Sequence, residues 1–251
     1  MDLGLGGRRY LLTGASRGLG LATAQALVTD GARVLISSRS AYSVSAAVES
    51  LGPLASGVAG DLADPGTAQT LVDEAIGQLG GLDGALISVG GPAPGSVLEV
   101  GEDAWRSAVD SVLLGPLRLV RALVPHLGEG AAIGFVLSTS VRQPIDGLAI
   151  SNGLRPGLAM TAKALADEVG PRGIRVFGLL PGLIATDRVT ELYAASGDPA
   201  AASERRAATI PLRRIGRPEE FGKVAAFALS PAASYLTGTM LSVDGGATRA
   251  L

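Results

Sequence analysis

The sequence predicts an α/β fold: one doubly wound parallel sheet with helices on both faces. Three observations predict it. Short apolar runs alternate with longer helical segments along the whole chain. The runs lack strict in–out alternation, as expected of strands covered on both sides. The first run passes through a glycine-rich turn directly into a helical segment, Thr13-Gly14-Ala15-Ser16-Arg17-Gly18-Leu19-Gly20. Parallel strands joined through helices require right-handed crossovers, and such sheets bind ligands outside the carboxyl ends of their strands.

Each element follows in order. Tyr10-Leu11-Leu12 makes Arg9–Thr13 the first strand, and the segment opened by the glycines makes Leu19–Thr29 a helix. Arg33–Ser37 is the second strand and Ser43–Leu51 the next helix. Ala55–Ala59 is a strand, and Asp64 stands at the entrance to a helix over Pro65–Leu79. Gly84–Ser88 is a strand, then Glu102 opens one long helix to Leu127. Ala132–Ser138 is the fifth strand, Gly153–Gly170 a helix and Ile174–Leu180 the sixth strand. Ile184–Leu212, with Gly197-Asp198-Pro199 and several alanines, is irregular; it reads as a partly helical lid or as a plain surface excursion. Pro218–Ala228 is the last helix and Met240–Val243 the last strand.

Composition bounds the function. The chain has 251 residues, 47% of them hydrophobic, and a formal net charge of −2, which suits one domain spanning 1–251 with a sizeable core. Near-neutral charge argues against a nucleic-acid partner. There is no cysteine, so disulfides, thiolate metal sites and a cysteine nucleophile are excluded, and the single histidine, His126, disfavours a histidine-built metal site. No signal peptide or membrane span is visible, so a cytoplasmic location is expected.

The glycine turn carries the first chemistry. Gly14 permits the tight turn, Gly18 lets backbone approach an anion, and Gly20 lets the new helix pack on the strand. The helix N-terminus then offers free N–H groups and a positive dipole end to a pyrophosphate.

Further segments join it. Asp61-Leu62, Pro171-Arg172-Gly173-Ile174-Arg175-Val176, Pro181-Gly182-Leu183-Ile184-Ala185-Thr186, Gly216-Arg217-Pro218-Glu219-Glu220 and Val243-Asp244-Gly245-Gly246 follow in that order. With them the chain resembles the classical short-chain dehydrogenases/reductases over nearly its whole length. The resemblance implies a Rossmann-type fold, an NAD(H) or NADP(H) cofactor, a small-molecule substrate and commonly a homotetramer or dimer. It also implies that Ser16, Leu19, Ser38, Leu62, Pro181, Gly182, Ile184 and Thr186 join the glycines around the cofactor. Asp61 resembles the residue that touches the adenine edge, a role compatible with a turn or helix-capping aspartate. Gly90 follows the fourth strand, where a side chain would obstruct the cofactor. Two asparagines usual before that point are replaced by Ile87-Ser88.

The second strand ends Ile36-Ser37-Ser38-Arg39, with no acid to take a ribose diol. An arginine there attracts a 2′-phosphate that a carboxylate would repel. Arg17, inside the glycine turn, supplies a second cation. NADP(H) is therefore favoured, with NAD(H) open, since Arg39 would otherwise only solvate a helix start.

At the catalytic positions the family pattern departs. Members usually use a serine, a tyrosine and a lysine four residues after the tyrosine, supported by an asparagine on the preceding long helix. Counting back from Gly173-Ile174-Arg175-Val176, this chain has Ser151 and Arg155 where those members have tyrosine and lysine. Ser138 stands thirteen residues before Ser151 and retains the serine, while Val112 occupies the asparagine position. No tyrosine is followed by a lysine four residues later. A phenol of pKa about 10 can be tuned toward neutrality; an aliphatic hydroxyl lies several units higher and is a poor proton donor without a partner. Arg155 stays charged and can bind ribose hydroxyls, clamp an anionic substrate group or stabilise an oxyanion. Asn152 adds an amide with donors and an acceptor. Ser-Asn-x-x-Arg, with Gly90–Gly95 and Ile184–Val189, is similar to a divergent branch of the family.

The favoured function is therefore an NADP(H)-dependent oxidoreductase acting on a small carbonyl or alcohol through an altered proton-transfer site, with Ser138, Ser151 and Arg155 as its catalytic candidates. A non-catalytic cofactor-binding sensor or assembly subunit is the alternative, and a lyase or epimerase a third reading. Tyr193 in the lid segment, Arg142, Asp146, Asp187 and Arg188 near the mouth, Trp105 and His126 are expected in packing or surface roles.

Overall fold

The computed structural model describes residues 2–187 and 199–250. In chain order the elements are β1 (Arg9–Thr13), α1 (Gly18–Thr29), β2 (Arg33–Ser38), α2 (Ala41–Leu51), β3 (Ala55–Ala59), α3 (Thr67–Leu79), β4 (Gly84–Ile87) and α4 (Glu102–Ala108). There follow α5 (Gly115–Leu123), β5 (Ala132–Val136), α6 (Ala149–Val169), β6 (Arg175–Pro181), α7 (Pro199–Thr209), α8 (Pro218–Leu229) and β7 (Thr239–Val243). All seven strands lie in one sheet, ordered β3-β2-β1-β4-β5-β6-β7, and every pairing is parallel. The chain winds outward from β1 to β3, then returns to the middle with β4. Between β1 and β4 the order reverses, and there a crevice opens at the carboxyl ends.

Strand side chains alternate between two cores. Leu11, Leu35, Ala85, Ile87, Ile133, Phe135 and Val176 face the core filled by Leu71, Leu119 and Leu158 of α3, α5 and α6. Tyr10, Leu12, Val34, Ile36, Leu86, Val136 and Phe177 face the core filled by Ala24, Leu27, Ala47 and Phe221 of α1, α2 and α8. Fully burying such a Leu, Ile or Phe contributes about 1.5–3 kcal/mol. α1 and α8 touch backbone to backbone at Gly222, where a β-carbon would lie 2.4 Å from the Ala22 carbonyl oxygen.

Two polar locks sit at the amino ends of the strands. Arg9 grips Asp83 with its backbone N–H and Nε, both 2.9 Å from Oδ2. Burial raises the Asp83 carboxyl, but the Arg9 hydrogen bonds and charge outweigh it and hold the carboxyl below its ordinary value. Arg175, buried in β6, sends its guanidinium to the carbonyls of Ala228, Leu229 and Ser230 at the end of α8, and to Leu236. Those carbonyls form the negative pole of the helix and take the place of a carboxylate partner. The Tyr10 hydroxyl donates to Leu229 O at 3.3 Å, and burial pushes that phenol up to about 12.

Several element boundaries differ from expectation, among them α2, which starts at Ala41 rather than Ser43, and β5, which ends at Val136 rather than Ser138. The single long helix over Glu102–Leu127 is interrupted: a π-helical turn over Val109–Leu114 separates α4 from α5, and a 3₁₀ turn over Val124–His126 ends the run. Pro116 explains the widening, because it cannot donate to Val112 O and its ring would press on that carbonyl in a regular helix. α6 starts at Ala149 rather than Gly153, so Ser151 and Asn152 are helical. α3 starts at Thr67 rather than Pro65, since an aspartate turn at Asp61–Asp64 comes first. In the stretch 184–212, α7 is helical; Arg188 and Tyr193 lie outside the described residues. Among the described residues no helix is long and apolar enough to cross a membrane.

Candidate active site

The glycine turn forms a backbone cradle at the carboxyl end of β1. Gly14 has φ +58°, and a β-carbon there would lie 2.7 Å from Ser88 O. At Gly20 a β-carbon would come within 2.5 Å of Gly14 O, so only glycine lets α1 begin this close to the turn. The N-cap residue Arg17 makes no side-chain capping bond to α1, and the first turn holds no acid. The N–H groups of Gly18, Leu19 and Gly20 stand at the positive end of the helix. Ala15 N bonds Ser37 O, fixing the turn, with Ser16 and Arg17 on it, against β2.

Replacement of the two asparagines by Ile87-Ser88 does not leave the crevice unbraced. Thr13 Oγ1 donates to Ser88 O at 2.8 Å and accepts from Ser88 N at 2.9 Å. One hydroxyl thereby ties β1 to the chain leaving β4 through backbone atoms alone, which the sequence reading missed. Gly90 follows, and a β-carbon on it would meet no protein atom within 4 Å, so the space beside it is open to a ligand.

The other expected cofactor residues gather at the same sheet end. Ser38 closes β2, and its Oγ is buried with no hydrogen-bond partner. Arg39, next along, is exposed. Asp61 uses Oδ1 to accept from Ala63 N at 3.0 Å, so it is a turn aspartate, with Leu62 buried behind it. At the end of β6, Gly182 packs where a β-carbon would lie 2.6 Å from Asp244 Cβ. Pro181 leads into it, and Ile184 is pinned by a bridge to Gly216. Thr186 comes over the glycine turn: a β-carbon at Gly18 would lie 3.5 Å from its Cγ2.

Ser138, Ser151 and Arg155 are linked where β5 ends against α6, through Ser140 and Val136. Ser138 heads a 3₁₀ turn over Thr139–Val141, and its Oγ accepts from Ser140 N at 3.1 Å. One lone pair is thus used, while the hydroxyl proton remains to be donated forward. Ser151 and Arg155 lie one turn apart on the buried face of α6, both 5% exposed. Arg155 Nη1 donates to Val136 O at 2.6 Å, anchoring the strand two residues before Ser138. The Ser151 hydroxyl faces Ser140 Oγ at 3.1 Å. Val112 is buried at the π turn, packed with Ala108 and Ile150.

Other candidates resolve into structural roles. Asn152 clamps the mouth loop: its Oδ1 accepts from Ile145 N at 3.0 Å and its Nδ2 donates to Ile145 O at 2.9 Å. Leu148 in turn bridges Gly95, so both loops bordering the mouth join α6. Trp105 lies against Gly153, where a β-carbon would meet the indole at 2.8 Å. His126, Arg142, Asp146 and Asp187 are exposed. Ser140, absent from the sequence reading, links Ser138 to Ser151; the hydroxyl run Ser138-Thr139-Ser140 was the signal available.

Residues 14–248 match the family model described as "Enoyl-(Acyl carrier protein) reductase". The human protein "Dehydrogenase/reductase SDR family member 4" is 33% identical over 243 residues, covering 94% of this chain and 86% of that protein. L-Sorbose reductase from Gluconobacter frateurii, solved with NADPH and L-sorbose, superposes with a TM-score of 0.94 at 31% identity over 100% of both chains. An NADPH-bound short-chain oxidoreductase from Pseudomonas aeruginosa PAO1, described as containing an atypical catalytic center, superposes with a TM-score of 0.91 at 27% identity, over 98% of this chain and 99% of that one.

Proposed function

We propose, from the premise that this chain belongs to the short-chain dehydrogenase/reductase family, that it moves hydride between NADP(H) and a small carbonyl or alcohol through a proton-transfer site altered from the family's tyrosine and lysine. The residues present fit such a cofactor. The cradle at Gly14, Gly18 and Gly20 suits a diphosphate. The unpartnered Ser38 Oγ and exposed Arg39 suit the phosphorylated ribose. The open space at Gly90 and the span Pro181–Thr186 suit the remainder. NADPH-bound relatives support the same choice; NAD(H) is the alternative.

When bound, the cofactor supplies or takes up the hydride. The chain's own residues handle the oxygen. Ser138 donates its hydroxyl proton in a hydrogen bond to the carbonyl oxygen, since Ser140 N already occupies a lone pair. Arg155 places a fixed positive charge below, which favours the negative charge that develops as the carbonyl is reduced. Ser151 adds a second hydrogen-bonding hydroxyl, and the proton that the reduced oxygen takes comes from a water, whose hydroxide returns to solvent. Ser138 carries this reading. The test is a carbonyl panel with NADPH: turnover that falls about a hundredfold in Ser138→Ala, with NADPH affinity unchanged, supports it. No turnover from any carbonyl, despite tight NADPH binding, overturns it.

One observation favours a second reading, a non-catalytic NADP(H)-binding protein: the Ser151 hydroxyl is engaged by Ser140 and Arg155 by Val136. Measurable turnover by the unmodified chain eliminates that reading. A homo-oligomer is also proposed. Met160 on α6 is 71% exposed, an apolar side chain suited to a partner face; a monomer by light scattering would refute it.

A further inference from the structure

We propose that Ser140 is a positioning residue that sets the direction of the Ser151 hydroxyl, making Ser151 a hydrogen-bond donor toward the reacting oxygen. The inference rests on the reading above, in which Ser138 and Ser151 face that oxygen. Ser140 is buried between the two, 4% exposed. Its backbone N–H holds Ser138 Oγ at 3.1 Å. Its side chain lies 3.1 Å from Ser151 Oγ and 3.4 Å from Ser151 O. A single residue therefore governs both hydroxyls of the site, one through its backbone and one through its side chain.

Either hydroxyl of the Ser140–Ser151 pair can be the donor. Ser140 has one proton and two acceptors within reach. Ser151 O takes the Arg155 N–H of the helical ladder and keeps a second lone pair toward Ser140 Oγ at 3.4 Å. In the proposed arrangement the Ser140 proton goes to Ser151 Oγ, the shorter of its two contacts. Ser151, having accepted, keeps its own proton to point away from Ser140, toward the side where Ser138 presents its own. A hydroxyl that accepts one hydrogen bond becomes a stronger donor of another. Both serines stay protonated throughout; they donate hydrogen bonds and transfer no proton. This division of labour suits a site without a phenol. Two ordinary alcohols, each polarised by a bond from Ser140, converge where the family commonly uses a serine and a tyrosine.

The test uses the full chain with NADPH, comparing Ser140→Ala, Ser140→Thr, Ser151→Ala and the Ser140→Ala/Ser151→Ala double variant. Ser140→Ala should lower kcat about tenfold with KM for NADPH unchanged. Ser140→Thr, which keeps the hydroxyl, should restore kcat to within about threefold of wild type. The double variant should be no slower than Ser151→Ala, because Ser140 acts through Ser151. A crystal structure of Ser140→Ala should show Ser151 Oγ rotated from its present direction. Unchanged kcat in Ser140→Ala, losses that multiply in the double variant, or failure of threonine to rescue would overturn the proposal. If the wild type reduces no carbonyl, the oxidoreductase reading fails on its own. The crystal structure then still decides the positioning: an unmoved Ser151 Oγ overturns it, and a rotated one supports it.

Discussion

Under the proposed function a single side chain selects the cofactor through its charge, and another such charge sets local stability. Arg39 stands exposed one residue beyond the unpartnered Ser38 hydroxyl. A charge-assisted bond of this kind is worth about 1.5–3 kcal/mol. Arg39→Ala should therefore weaken NADPH binding by about ten- to a hundredfold and leave NADH nearly unchanged, as calorimetric titration of both would reveal. At the opposite sheet end, Arg9 holds the Asp83 carboxyl below its ordinary value. A carboxyl depressed in the folded state stabilises the fold above its unfolded pKa, and that contribution vanishes as pH falls through the folded value. Asp83→Asn should cost about 1 kcal/mol near neutrality, a figure reduced by partial exposure. The gap to wild type in urea midpoints should stay constant down to about pH 5 and shrink below about pH 4.

At the scale of elements, short contacts between backbones dictate where α1 can sit. Gly222 lets α8 approach within contact of Ala22 on α1, and α1 carries the glycine cradle on its first turn. Gly222→Ala forces a β-carbon into the Ala22 carbonyl and should cost about 2 kcal/mol. Weaker NADPH binding should accompany the lower melting temperature, because the cradle moves with the helix. All seven strands and the glycine cradle were legible in the sequence, since apolar runs and glycine turns are local signals. What was not legible depended on partners distant in sequence. Thr13 braces Ser88 across the crevice, and no local pattern marks that bond. Ser151 and Asn152 have low intrinsic helix propensity, yet they lie in the first turn of α6, where Ser140 and Ile145 engage their side chains. The π turn depends on Pro116, one residue inside a segment whose periodicity otherwise reads as a continuous helix.

For the whole molecule, ligand binding and folding are one equilibrium. A cofactor that binds only the folded chain adds about 2.7 kcal/mol at a hundred times its dissociation constant. For a chain of this size, saturating NADPH should raise the melting temperature by about 5–10 °C, and NADH by less, as differential scanning calorimetry would show. Arg39→Ala should narrow the difference between the two cofactors.

The return of the chain to the middle of the sheet also governs the order of assembly. Tyr10 of β1 pairs with Gly84 of β4, and among the described residues no hairpin joins neighbouring strands. As the polypeptide leaves the ribosome, β1, β2 and β3 can associate first, but one wall of the crevice does not yet exist. The nucleotide therefore cannot chaperone the nascent amino-terminal third. It can only lock the molecule after Ser88 has emerged and met Thr13, so low cofactor supply would leave early intermediates untouched and thin out only the finished product.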